Sequence, residues 1–421
     1  MKDDGENAII LSTDQNAAGC KKMRIAAIIA EYNPFHNGHL YHIQQTKEQG
    51  NATHIVAIMS PDFVQRGETA LLEKSVRTRA ALEHGADLVL ELPTPYVLSN
   101  ASNFARAGAE IIHAMGCVDV VSFGSESGNE KQLSNISDRL LTGAHEAFLK
   151  EYLASGLPFV KAQALAIEKT FGEGAGQLLE HPNDVLATEY IRALKIADYH
   201  GEILAVKREG AEHDGEEAAG VFASASAIRK MMSFQSDSIS QKYVPCNAFL
   251  AYREDFVKNH GFSDLSRLER MILDRLRRMT DEEWREVPDV SEGIENRIRR
   301  SAGYVGTLEE LYHSIKSKRY LMARIKRIVC CSLIGITKQH TEAPVPYLHI
   351  LGFNKKGEEI LTKMKKTALL PFSVSLKTLE QVNSDCRKLA EIESRSTDVF
   401  GLTMPTVFPA GLEYRRMPIK L

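Results

Sequence analysis

From Arg24 to about Val206 the chain repeats one pattern, a short run of apolar residues followed by a stretch of helical periodicity. Ile25–Ala30, His54–Met59, Asp87–Leu92, Val118–Phe123 and Glu202–Val206 read as strands. Between them Gly38–Gln49, Glu73–His84, Ser102–Met115, the section from about Glu130 to Lys169, and Asp184–Ala197 read as helices. Gly50, Gly85 and Gly116 stand where helices of this length stop. Apolar runs without polar alternation belong to strands covered on both faces, and helical crossovers make neighbouring strands parallel. The expected fold class is therefore α/β, with helices on both sides of a parallel sheet. Ligands of such sheets bind beyond the carboxyl ends of the strands.

The texture changes further on. From about Met231 to Leu333 the sequence is helical. Tyr347–Phe353 then alternates into the turn Asn354-Lys355-Lys356-Gly357, with a helix and a possible strand at Phe372–Leu376 beyond. At 421 residues two or three domains are expected. The reading is a flexible extension over 1–22, a catalytic domain over 23–235, a helical basic region over 236–345 and a mixed α/β region over 346–421. The extension holds Asp3, Asp4 and Glu6 and lacks the basic start and apolar core of a signal peptide. Nowhere is there a run of roughly twenty apolar residues, so no membrane-spanning helix is expected. Six scattered cysteines without CxxC spacing point away from a disulfide framework or zinc site and toward reduced thiols in a cytoplasmic protein.

The polar residues that interrupt this pattern fall at strand ends. The first strand runs into Glu31-Tyr32-Asn33-Pro34-Phe35-His36-Asn37-Gly38-His39. Gly38 lets backbone approach a ligand at a helix start, where orphan N–H groups form an anion site. His36 and His39 flank it and can donate to phosphate oxygens as charge builds during displacement. Roughly 190 residues later, Ala223-Ser224-Ala225-Ser226-Ala227-Ile228-Arg229-Lys230 offers two hydroxyls at a helix start and a guanidinium able to grip oxygens in pairs. His36, His39, Ser226 and Arg229 are the candidate catalytic residues.

HxGH after strand one, paired with an ISSTxIR-like segment, resembles the nucleotidyltransferase superfamily and its Rossmann-like domain. Ala223 and Ala225 depart from that pattern, while Ser224, Ser226, Ile228 and Arg229 keep it. The wording from Glu31 to His39, with Pro61-Asp62-Phe63-Val64-Gln65-Arg66-Gly67, Ser122-Phe123-Gly124-Ser125-Glu126 and Pro182-Asn183-Asp184, resembles the bacterial tRNA(Met) cytidine acetate ligases from Met23 onward. That resemblance implies activation of acetate by ATP to acetyl-adenylate, then acetyl transfer to the wobble cytidine of elongator tRNA(Met). It implies an ATP cradle from Ile29 to His42: Ile29, Ala30, Glu31, Tyr32, Asn33, Pro34, Phe35, Asn37, Gly38, Leu40, Tyr41 and His42. Gly124, Asn183 and Arg208 would join it. Asp62, Gln65 and Arg66 are candidates for ordering acetate or the target base. No residue cluster has dedicated metal-ligand spacing, so Mg²⁺ is expected on the ATP phosphates. The motifs by themselves equally permit a nucleotidyltransferase for a small phosphorylated metabolite.

Between Arg297 and Gly335 nine basic residues (Arg297, Arg299, Arg300, Lys316, Lys318, Arg319, Arg324, Lys326, Arg327) face only Glu309 and Glu310, in a chain of net charge −3. Tyr304, Tyr312 and Tyr320 are interleaved. With the resemblance, this segment is the expected tRNA-docking surface. Lys363-Met364-Lys365-Lys366-Thr367 echoes the KMSKS loop of class I aminoacyl-tRNA synthetases, but it trails a predicted helix and is read as a plain basic helix end.

Overall fold

The computed structural model describes residues 22–157, 159–172, 174–209, 221–233 and 241–421. All of the expected N-terminal extension except Lys22, and the expected boundary at 235, lie outside them.

The predicted strands are present as β1 (Ile25–Ala30), β2 (His54–Met59), β5 (Leu88–Glu91), β6 (Val120–Ser125) and β7 (Glu202–Lys207). Between β2 and β5 a small antiparallel pair, β3 (Phe63–Val64) and β4 (Glu68–Thr69), adds a hairpin that no sequence pattern announces. With β8 (Leu348–Phe353) and β10 (Ile419–Lys420), the main sheet runs β10-β8-β5-β2-β1-β6-β7. Its pairs from β5 through β7 are all parallel. Beyond β5 the sheet is completed from the far end of the chain. There β8 (Leu348–Phe353) pairs antiparallel to β5, while β9 (Phe372–Ser373) and β10 (Ile419–Lys420) lie parallel to β8. Residues 346–421 thus share the central sheet with the N-terminal half.

Alternate residues of one strand serve two cores, as a period of two requires. Ile25 and Ala27 pack with the helices Ala101–Met115 and Pro182–Ile196. Ala26 and Ile28 pack with α1 (Asn37–Gln49), α2 (Lys74–Glu83) and the helix Cys246–Asn259. A third core lies in the helical region around the fully buried Trp284, and Phe63, Leu98 and Phe400 reach into it from outside. Burying three such apolar anchors is worth roughly 1.5–3 kcal/mol each. The helical region is therefore fixed to the sheet domain by a shared core.

One docking point is tight enough to test. Gly67, in the turn between β3 and β4, has φ +75°, and a Cβ there would lie 2.4 Å from the backbone nitrogen of Arg327. Gly67→Ala combines a left-handed backbone with a clash against a helix, so a loss of about 2–4 kcal/mol in urea unfolding is expected. A loss below about 0.5 kcal/mol would mean that the hairpin does not press on that helix.

Candidate active site

The chain leaves β1 at the point where strand order reverses, since β2 and β6 flank β1 on opposite sides. A crevice opens at such a switch point. The expected residues converge on it from four segments.

The first segment is the loop into α1. His36 is the N-cap of α1, and its Nδ1 accepts the Gly38 N–H at 3.0 Å. His39 answers three positions on, its Nδ1 accepting the His36 N–H at 3.3 Å. The two rings stack with centroids 3.9 Å apart. A Cβ on Gly38 would meet His36 Cε1 at 2.9 Å, so the glycine lets the first ring fold back over the helix start. Phe35 and Tyr32 are buried beneath, each in ring contact with His39. Asn33 and Pro34 are buried, and Asn33 Oδ1 accepts the Leu71 N–H at 2.8 Å. Ile29, Ala30, Leu40 and Tyr41 line the entry half-buried, and His42 Nε2 lies 2.9 Å from Ser122 Oγ on β6. Asn37 turns away and donates to the carbonyls of Val221 and Lys242, tying this loop to the next segment.

That second segment opens the helix Ala225–Ser233. Ser224 Oγ accepts the Ala227 N–H at 3.2 Å and lies 3.0 Å from Ser226 Oγ. Arg229 crosses to the first loop, donating from Nη1 to the Asn33 carbonyl at 2.9 Å, with Nη2 3.9 Å from Glu68. The third and fourth segments meet beyond β6 and β7. Arg208 donates its N–H to the Ser125 carbonyl and its Nη1 to Asn183 Oδ1 at 3.4 Å. A Cβ on Gly124 would touch only the Arg208 side chain, at 3.5 Å, so space in front of it is open among the described residues.

Asn183 lies within the first turn of its helix instead of capping it. The cap comes from Glu126, whose carboxylate accepts the N–H groups of Asn183 and Asp184 at 3.0 and 2.8 Å. A carboxylate on a helix N-terminus is the favourable charge arrangement. Asp184 returns the favour by accepting from Ser125 Oγ at 2.5 Å. Glu126 was legible only as one letter of a motif, and its pairing across 57 positions had no local signal.

Electrostatics fit an anion site. Burial, followed by the nearby Arg208 and Arg229, pushes His36 down to about 3. Burial and then Arg208 push His42 to about 4, and burial with His36 puts His39 well below its usual value. All three are neutral at pH 7 without ligand, facing two cations. Histidines of an unfolded chain titrate near 6.5. Acid below that value protonates the unfolded chain first, so the folding stability present above pH 6.5 falls toward the folded values near 3–4. The unfolding midpoint in urea is expected to drop between pH 7 and pH 5, and to drop less when His36 and His39 are both asparagine.

The helix α2 supplies a residue without a motif. Arg77 is fully buried and donates to the carbonyls of Glu31 and Ser60, at 2.8 and 3.0 Å, and of Pro61 and Leu72. It holds the loops after β1 and β2 together. Of the loop residues after β2, Asp62 is buried against Lys74 and Thr397, and the Gln65 N–H donates to Glu31 at 2.7 Å. Burial raises the Glu31 carboxyl against the opposing pull of the Gln65 N–H, Arg229 and Arg66, whereas at Glu68 Lys326, Arg229 and Arg66 together outweigh burial and lower it.

The basic helical segment is less bare than its count. Arg299 pairs with Asp281, Arg319 and Arg324 with Glu292, Arg327 with Asp289 and Lys326 with Glu68. Those acids lie upstream of Arg297, outside the window of the count. Tyr312 and Tyr320 are buried and Tyr304 is exposed. Lys363 reaches the Cys117 carbonyl and Thr367 the Met115 carbonyl, at the edge where β6 begins. That is the sheet edge opposite the histidines, as a plain helix end allows.

Among the described residues one group of His and Glu has metal-ligand spacing, Glu91, His349 and Glu413. Lys74 already sits in it, its Nζ 2.5 Å from Glu91 and 2.8 Å from Glu413. No helix among the described residues is long and apolar enough to cross a membrane.

The switch-point crevice with its HxGH loop defines a nucleotidyltransferase, and the chain belongs to the HIGH Nucleotidyl Transferase family, whose pattern matches residues 23–412. Within it the chain is similar to curated tRNA(Met) cytidine acetate ligases over almost all of both lengths. The Thermoanaerobacter sp. enzyme is 38 % identical across 95 % of this chain and 100 % of its own. The Acetivibrio thermocellus enzyme is 34 % identical across 93 % and 98 %. The crystal structure of Thermotoga maritima TmcAL bound with alpha-thio ATP superposes with a TM-score of 0.88 at 29 % identity, covering 95 % of this chain and all of that one.

Proposed function

We propose that this chain uses ATP to activate acetate and passes the acetyl group to the exocyclic amine of the wobble cytidine in elongator tRNA(Met). The supporting observation is the meeting of His36, His39, Ser226, Arg229 and Arg208 around one crevice, in a chain whose near full-length relatives are named tRNA(Met) cytidine acetate ligase. The acetate oxygen attacks the α-phosphorus, the bond from that phosphorus to the pyrophosphate oxygen breaks, and acetyl-adenylate and pyrophosphate result. The cytidine N4 then attacks the acyl carbon, the acyl–phosphate C–O bond breaks, and N4-acetylcytidine, AMP and one proton are released.

In this reading His36 and His39 donate to phosphate oxygens at the α1 N-terminus, where charge builds in the first displacement. Arg229 and the two serines steady the same oxygens. Arg208, held by Asn183, faces the nucleotide beside Gly124. Mg²⁺ would enter on the triphosphate, since the cradle presents no built carboxylate cluster among the described residues. The tRNA backbone would dock on the helical region. The pairs of Arg299 with Asp281 and of Arg319 with Glu292 are exposed enough to exchange for phosphate at little cost. Arg300, Lys316 and Lys318 lie exposed beside them.

Purified protein is expected to catalyse acetate-dependent ATP–pyrophosphate exchange and, with labelled acetate, to yield labelled N4-acetylcytidine in tRNA(Met) by nucleoside mass spectrometry. Neither signal appearing would sink the reading. Exchange that depends on a phosphorylated metabolite and not on acetate would favour a small-molecule nucleotidyltransferase.

A further inference from the structure

A cavity of about 490 Å³ lies between the β3–β4 hairpin and the helical region, within the usual range for small-ligand pockets. Glu68 and Arg229 form one wall; Tyr312, His313, Met322 and Lys326 form the other. The cavity adjoins the histidine loop through Arg229, the side chain that also donates to the Asn33 carbonyl. It therefore shares Arg229 with the proposed nucleotide site and Lys326 with the proposed RNA-docking region.

We propose that this cavity receives the acceptor base, a cytosine swung out of an RNA loop, and that Glu68 recognises its exocyclic amine. The assignment rests on the acetyl-transfer reading given above. Its chemistry is specific. Cytosine presents an amine donor where uracil presents a carbonyl acceptor, and a carboxylate is the side chain that accepts from that amine. Burial works to raise the Glu68 carboxyl, but Lys326, then Arg229 and Arg66, outweigh it and hold it below the usual carboxylate range. The acceptor is therefore ionised at neutral pH and would repel the uracil oxygen.

Tyr312 adds a buried polar group to the helical wall. Its hydroxyl is buried and has no hydrogen-bond partner among the described residues, although buried phenols normally find one. It belongs to the lining of this cavity. Flipped bases are read by edge hydrogen bonds and held between aromatic and apolar side chains, which Tyr312, His313 and Met322 provide.

The test uses the full chain with ATP, acetate and an anticodon stem–loop RNA carrying 5-bromocytidine at the wobble position. Ultraviolet crosslinking is expected to join the RNA to peptides within residues 66–71 or 308–326. Met322→Trp, which fills the cavity from its helical side, is expected to lower acetylation at least tenfold more than it lowers acetate-dependent pyrophosphate exchange. Glu68→Gln, able to donate as well as accept, is expected to narrow the binding preference for a cytidine over a uridine stem–loop by about tenfold. A wild-type protein that acetylates normally yet crosslinks elsewhere, with Met322→Trp acetylating at the wild-type rate, overturns the pocket and leaves the reaction standing. A wild-type protein with no acetate-dependent exchange and no acetylation overturns both.

Discussion

His39→Ala is expected to lower acetate-dependent pyrophosphate exchange by about 10²–10³-fold while leaving the protein folded, the loss found when one preorganised donor to developing charge is removed. The separation of activity from stability follows from the geometry. His39 is half-buried, makes one long hydrogen bond, 3.3 Å from the His36 nitrogen, and packs its ring on Tyr32, Phe35 and His36, so its removal costs about 1–2 kcal/mol, well short of unfolding a domain. His36 is the less clean target, because its ring also caps α1, and losing a cap costs about 0.5–2 kcal/mol by itself. Exchange rates and urea midpoints measured on both variants check the contrast. An His39→Ala protein within threefold of wild-type activity would remove His39 from the chemistry.

The second large effect concerns stability. Lys74→Met is expected to destabilise the fold by about 3–5 kcal/mol, because it leaves buried carboxylates without their cation. Lys74 is about 1 % exposed and lies against Glu91 and Glu413, with Asp62 4.0 Å away. His349 Nδ1 adds to the cluster 2.6 Å from Glu91. Burial opposes the charge on Glu91, but Lys74 and His349 outweigh it and hold the group far below its usual range. The pair therefore stabilises the protein at pH values above the ordinary glutamate range and loses that contribution in acid. Accordingly the deficit of the variant should be largest near pH 7 and shrink below about pH 5, where its orphaned carboxylates can take up protons. Urea unfolding at the two pH values measures both. A deficit under about 1 kcal/mol at pH 7 would mean that the cluster is not the clasp between the C-terminal segment and the sheet.

The sequence was most informative where physics is local. Unbroken apolar runs such as Ile25–Ala30 and His54–Met59 set strand positions to within a residue or two, because burial on both faces leaves no place for polar alternation. The loop Glu31–His39 was legible because a glycine and two histidines in that spacing serve few purposes at a helix start. By contrast, β8 is bracketed by helices and turns, and nothing within it says that it pairs antiparallel with β5, more than 250 positions earlier. Asn183 is of a residue type that suits a helix cap, yet the N–H groups of that first turn are capped by Glu126 from another segment. The basic window from Arg297 to Gly335 looked bare because its acids, Asp281, Asp289 and Glu292, lie just upstream and meet it only in three dimensions.

What the sequence by itself determined is the parallel α/β layout, the family, and the candidate loop Glu31–His39 with its partner helix start. Those depend on periodicity and on short motifs whose geometry is carried within a few residues. Only the tertiary structure decided that Arg229 bridges the histidine loop and a cavity against the helical region, that Arg77 ties two loops together, and that Lys74 clasps the chain's end to its sheet. Each of these joins charges or backbone groups far apart in sequence. Only the folded arrangement brings such groups within hydrogen-bonding reach, in surroundings dry enough for the contact to count.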